Sequence, residues 1–182
     1  MDIQLAQTEK TLRAAYQIRY ACLHKAFGDE RHAHHESALF YDADDTEAAN
    51  VFVAYVDGQA VATARLLFRK HHPFVADDFY DYAALARLFN EDIEVLQQQI
   101  GLIDRVCIVP AYRGHSIFAA LFSTVVARMQ QERCRYLLAA IHQNNTKSNA
   151  VFQHFGFQPL PELKQYEGWT GYLYYRVLDM DA

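Results

Sequence analysis

Residues 104–122 read DRVCIVPAYRGHSIFAALF. A run rich in β-branched residues stops at Pro110, a short turn carries Arg113 and Gly114, and a helical pattern starts at once. The first backbone N–H groups of a helix have no intrahelical acceptor and lie at the positive end of its dipole. Such a start is an anion site, and a pyrophosphate suits it. Gly114 permits close approach, and Arg113 adds a fixed charge with a forked set of donors. The same residues also fit an ordinary strand-to-helix turn carrying a surface arginine.

The elements that must position this turn follow from the pattern around it. Ile3–Ala6 reads as a strand. Thr8 caps a helix whose residues Leu12, Ala15, Tyr16, Arg19, Tyr20, Leu23 and Phe27 recur at helical spacing, with Gly28 as its stop. Residues 29–50 read as a loop with a short helical piece. Val51–Val56 and Ala60–Phe68 form a hairpin about Asp57-Gly58. Asp77 or Asp78 caps a helix through Phe89, and Asp92 opens a second helix ending near Gly101. Leu102–Val109 is a strand. The long helix after it buries Ile117, Phe118, Leu121, Phe122, Val125, Val126 and Met129. Cys134–Ile141 is an apolar strand, Asn145 opens a short helix ended by Gly156, and Phe157–Leu160 and Gly171–Leu178 are the last strands. Strand–helix–strand implies a right-handed crossover and a locally parallel pair. The fold class is mixed α/β (α+β), and residues 1–182 read as one domain.

Two segments taken together are more specific than either alone. V-P-A-Y-R-G at 109–114 and N-x-x-S-x-x-x-F-x-x-x-G-F at 145–157, with the hairpin 51–68, resemble the GNAT superfamily of acyl-CoA N-acyltransferases over about two thirds of the chain. The resemblance implies a splayed central sheet flanked by helices, with acyl-CoA in its opening. Pantetheine would pair with backbone near Ile108 and Val109. The pyrophosphate would sit on the N–H groups of Arg113, Gly114, His115, Ser116, Ile117 and Phe118, and Asn145 would reach the pantetheine arm. Ser116 and Phe118 depart from the small residues usual in the family's phosphate loop. Phe152 stands where many relatives carry a tyrosine acid. A second, shorter likeness joins IRYACLHKAF at 18–27, the acidic stretch Asp42–Glu47 and A-T-A-R-L at 62–66 to acyl-homoserine-lactone synthases and N-acyl amino acid synthases. Relatives of that kind take acyl groups from acyl-CoA or acyl carrier protein.

The chemistry expected is direct attack of a primary amine on a thioester, which requires the amine to lose a proton. Asp104 is the first candidate base, on the strand that would line the cleft. Its structural alternative is an ion pair with Arg105 or another basic group. His142 is a second candidate, as base or acid, and its alternative is a ring satisfied by loop backbone. Arg65 either binds a substrate carboxylate or pairs with the acidic run. Cys107 reads as a buried inert thiol rather than a nucleophile. The cluster His32-Ala33-His34-His35 has ligand chemistry, but a closed zinc site needs four ligands, so no metal is expected.

Composition limits the partners. The chain carries a formal charge of −5, a poor match for nucleic acid. No apolar run approaches the roughly 20 residues of a membrane span. Three widely spaced cysteines make no disulfide framework, which fits a cytoplasmic protein. The expected activity is N-acyl transfer, with acetyl-CoA or another acyl-CoA as co-substrate and a small-molecule or peptide amine as acceptor. A longer-chain N-acyl synthase and an inactive CoA-binding module are the alternatives. Phe74, Phe79, Tyr80, Tyr82 and Phe89 are candidate walls of a longer acyl pocket. A homodimer through the terminal strands is open to it.

Overall fold

The computed structural model describes residues 1–24, 30–75, 77–114, 116–166 and 168–180. The predicted helix end at Phe27, the stop at Gly28 and the phosphate contact at His115 lie outside the described residues. The strands bond in the order β1-β4-β5-β6-β7-β9-β8, in a mixed α/β fold. The chain gathers into two compact units: residues 1–67 with 103–128, and residues 68–102 with 129–182. Each is discontinuous in sequence, so no linker marks a boundary.

In the first unit, β1 (Asp2–Leu5) pairs antiparallel with β4 (Asn50–Val56), and β4 with β5 (Gln59–Phe68). The hairpin turns at Asp57 and Gly58, both at positive φ, which matches the twist of the flanking strands. Helix α1 (Glu9–Arg19) opens with a capping box: the Thr8 side chain accepts from Thr11 N–H, and the Thr11 side chain answers to Thr8 N–H. Ala15 on its apolar face joins Ala6, Val51 and Val53 in the core, with Leu12 and Tyr16 packed alongside. The helix continues into a π turn at Tyr20–His24. Inside the segment expected to be a loop, β2 (Ala33–His34) and β3 (Leu39–Phe40) form a small antiparallel ribbon. Two-residue strands are too short to show a period in sequence.

Strand β6 (Ile100–Ile108) ends in this unit. A 3-10 turn at Pro110–Tyr112 follows, then α4 (Ile117–Gln131). Ile117, Leu121, Phe122, Val125 and Met129 are buried, whereas Phe118 and Val126 are only half-buried, so the apolar stripe is narrower than expected.

In the second unit, α2 (Tyr82–Phe89) is capped by Asp81, whose Oδ1 accepts from Ala84 N–H at 2.9 Å. The expected cap was Asp77 or Asp78. These residues instead open a 3-10 turn, and the Asp77 carboxylate is spent on Arg69 (2.9 Å) and the Tyr82 hydroxyl (2.6 Å). Helix α3 (Ile93–Gln98) is capped by Asp92 as expected, but ends before Gly101 because β6 has begun at Ile100. Strand β7 (Tyr136–His142) pairs parallel with β6 at Ile100–Tyr136, Gly101–Leu137 and Leu102–Leu138. Helix α5 (Thr146–His154) follows, then β8 (Gln158–Tyr166) and β9 (Trp169–Val177). β9 lies antiparallel between β7 and β8. β8 is longer than expected and runs through Pro161, with a register shift between Pro159 and Leu163. Prolines are tolerated in such irregular end strands. No described helix is long and apolar enough to cross a membrane.

Candidate functional site

The end of β6 is tied down backbone by backbone. Val109 N–H donates to Val61 O on β5 at 2.9 Å, and Tyr112 N–H donates to Val109 O at 2.9 Å. Ile108 O accepts from Arg113 Nε at 3.1 Å, so the exposed Arg113 guanidinium is folded beside the strand end. Gly114 (φ 83) and Ser116 (φ 58) are both left-handed. A Cβ built on Gly114 meets nothing within 4 Å, so its need for glycine is conformational and the backbone there is open to approach. Ala120 N–H donates to Ser116 O at 3.1 Å. Ala120 is four residues beyond Ser116, so the N–H groups of Ile117 and Phe118 precede that bond in the helix, and a helix start of that kind can receive an anion. The Phe118 ring, bulky for a phosphate loop, is stacked on Phe122 at 6.0 Å and 8°, along its own helix.

A buried charge network lies in the same unit. Arg65 is 1 % exposed and donates through Nε and Nη2 to both oxygens of Asp104, at 2.8 and 2.6 Å. Its Nη1 donates to Asp42 at 2.5 Å and lies 3.0 Å from Asp45. Arg19 donates to both oxygens of Asp45, at 2.8 and 2.9 Å. Arg105 donates through Nε to Asp42 at 3.0 Å and through Nη2 to the same oxygen. Burial alone would raise the Asp42 carboxyl, but Arg65 and then Arg105 overcome it and hold the group well below the usual carboxylate range. Burial opposes the charge on Arg65 as well, and Asp104, Asp45 and Asp42 outweigh it. Arg105 reaches the network from a left-handed φ of 49, uncommon for a non-glycine strand residue.

Asp104 therefore stands where the sequence placed it, on β6, with both oxygens accepting from Arg65. That grip is the structural alternative read for Asp104, with Arg65 rather than Arg105 as the partner. The acidic run pairs with Arg65, as one of the two readings of that residue required. Arg19 was not foreseen, although an arginine on the apolar face of an amphipathic helix was a readable signal: a buried guanidinium needs a carboxylate.

Cys22 and Cys107 are buried. Hydrogen bonding with Cys107, then the Arg113 charge, draw the Cys22 thiol below its ordinary value, while that bond and burial push Cys107 well up. Cys22 Sγ lies 3.6 Å from Ile108 O. Cys107 thus fits the inert reading.

In the second unit, His142 Nδ1 accepts from Asn144 N–H at 3.1 Å. That bond gives the ring a loop-backbone partner, the structural alternative read for this histidine, and leaves Nε2 as its other polar atom. Asn145 Oδ1 caps α5 through Ser148 N–H at 3.2 Å, which leaves its amide group as the part able to meet a ligand. Phe152 is buried against Phe157 at 4.9 Å, as a core residue. Phe79, Tyr80 and Tyr82 do line an open cavity of about 570 Å³, but with Asp77, Asp81, Lys164 and Gln165, a polar wall for an acyl chain. Phe74 packs on Tyr80, and Phe89 is stacked on Tyr136.

The Acetyltransferase (GNAT) family model matches residues 12–157, and the chain belongs to this family of acyltransferases. No curated protein matches it in sequence. Among solved structures it is similar in fold to a CoA-dependent acyl-homoserine lactone synthase, BjaI, solved with SAM and isopentyl-CoA (TM-score 0.69, 18% identity, 92% of this chain and 76% of that one). It is also similar to FeeM, an N-acyl amino acid synthase from uncultured soil microbes (0.70, 14%, 97% and 90%). A third is the ribosomal-protein-alanine N-acetyltransferase of Brucella melitensis (0.60, 17%, 98% and 100%).

Proposed function

We propose that this protein moves an acyl group from acyl-CoA to a primary amine by direct attack, with acetyl as the first reading of the acyl group. The observation that supports the proposal is that Gly114 and Ser116 are left-handed and α4 begins at Ile117, beside the exposed Arg113 guanidinium, a helix start of the kind that suits an anion. In this reading the turn takes the CoA pyrophosphate. Asp104, fixed by Arg65, supplies negative charge that holds an ammonium acceptor before water takes its proton.

A longer acyl group is the second reading. It is favoured by the fold comparison, since the TM-scores of the two N-acyl synthases named above exceed that of the N-acetyltransferase. Thiol release from acyl-CoA donors of increasing chain length, measured with a panel of primary amines, separates the two. Acetyl-CoA as the best donor supports the first reading, and a medium or long chain the second. No amine-dependent thiol release from any donor would sink N-acyl transfer from CoA.

A further inference from the structure

The histidine cluster seen in the sequence does not hold together in the fold. His32 sets its ring edge on Phe40 at 5.7 Å, and His34 is stacked flat on Tyr41 at 3.9 Å and 8°. His35 instead meets His24, from the end of the π turn, and Glu30. His24 Nδ1 lies 3.1 Å from Glu30 Oε1, and His35 Nε2 lies 3.0 Å from Glu30 Oε2. One ligand atom from each of the three residues falls within 4.8 Å of the others.

We propose that His24, Glu30 and His35 form a divalent transition-metal site, with zinc as the fitting ion. Tetrahedral zinc with ligands at about 2.0–2.2 Å sets neighbouring ligand atoms about 3.3 Å apart. Each imidazole nitrogen is near that distance from one Glu30 oxygen, Oε1 for His24 and Oε2 for His35, and the three ligand atoms lie within 4.8 Å of one another. Two imidazoles and one carboxylate form a borderline donor set that suits zinc better than calcium or magnesium.

Two further observations point to an ion. His24 Nδ1 is shut off from solvent and makes no hydrogen bond, because its approach to Glu30 lacks hydrogen-bond geometry. A buried ring nitrogen without a partner is costly, and a metal is the partner its lone pair suits. His35 also has the support that metal-bound histidines carry: its far nitrogen, Nδ1, lies 3.2 Å from the Tyr20 hydroxyl, which fixes the ring with Nε2 turned toward the site. Glu30 and His35 have side chains 62 % and 56 % exposed, so an ion can enter and a water can complete the shell. Bound metal would tie the end of the π turn to the turn after β2. The proposal is independent of the acyl-transfer reading.

The test is calorimetric titration of the full chain, stripped with EDTA, with zinc ion alone. The expected result is one equivalent bound and a raised Tm. Glu30→Gln and His35→Ala each remove a ligand from an exposed side chain, so both fold, and each weakens binding at least about 10-fold. Tyr20→Phe leaves all three ligands and still weakens binding about 10-fold, whereas a simple surface ion pair would not respond. His34→Ala binds like the parent. Absence of stoichiometric zinc binding, or binding that survives Glu30→Gln and His35→Ala unchanged, overturns the site.

Discussion

Arg65→Met is expected to cost about 3–5 kcal/mol of folding stability, measured by urea unfolding. The reason is charge balance rather than lost packing, since methionine keeps much of the stem. Arg19, Arg65 and Arg105 face Asp42, Asp45 and Asp104, with Asp44 at 3.9 Å from Arg65 as a fourth carboxylate. Arg65 is the member that reaches all four acids. Its removal leaves Asp42 to Arg105 and Asp45 to Arg19, with Asp104 stripped of the two hydrogen bonds that hold it. An unpaired buried carboxylate costs far more than an exposed ion pair contributes. The pH dependence carries the same signature. A carboxyl held low in the folded protein stabilises fully above its unfolded value near ~3.9, and that contribution is lost as pH falls through the folded value. The parent therefore loses stability as the solution is acidified below about pH 4. In Arg65→Met the slope flattens or reverses, because protonation now relieves buried charge. A loss below about 1 kcal/mol would show the network to be solvated and of surface character.

Gly171→Ala is expected to cost about 3 kcal/mol, the upper end of what overpacking does. A Cβ at this position would stand 2.2 Å from Ile141 O and 2.4 Å from the Trp169 ring. The first obstacle is backbone near the end of β7, whose movement would disturb the last pairs of the β7–β9 ladder. The second is a ring already set edge-to-face on Phe79 at 5.3 Å and on His142 at 6.0 Å. Glycine is needed here for space, since the residue has no positive φ. Trp169 is the chain's one tryptophan, so the same variant can be read by fluorescence. The expected spectrum is shifted in the native state, with a midpoint lowered in urea. An unchanged spectrum and midpoint would mean that the ring does not lie over Gly171.

The parts of this molecule that obey a local rule were legible in the sequence. Thr8, Asp92 and Asn145 cap the helices they were expected to cap, because a side-chain acceptor near an orphan N–H is a short-range matter. Asp57-Gly58 closed its hairpin for the same reason. Residues whose roles depend on distant partners were not legible. Asp77 failed as a cap because Arg69 and Tyr82 use its carboxylate. The ribbon formed by β2 and β3 left no pattern to read. Around the proposed anion turn, the strand–turn–helix order was legible, since β6, the 3-10 turn and α4 follow one another as the pattern required. The buried network was half visible, through the acidic run and Arg65, while Arg19 and the grip of Arg65 on Asp104 waited on the fold. The histidine cluster divides because β2 ends at His34 and His35 lies in the turn after it, where its partners His24 and Glu30 come from earlier in the chain.

The central claim is that Arg113 and the turn after it hold acyl-CoA by its pyrophosphate. Calorimetric titration with acetyl-CoA, on the parent and on Arg113→Ala, tests it most directly. Arg113 is exposed, so its removal leaves the fold intact. Losing a charge-assisted contact to phosphate weakens binding by about 10- to 100-fold. Acetyl-CoA binding that Arg113→Ala weakens to that degree is the predicted result. Equal affinity in parent and variant, or no binding to the parent, would contradict the phosphate site.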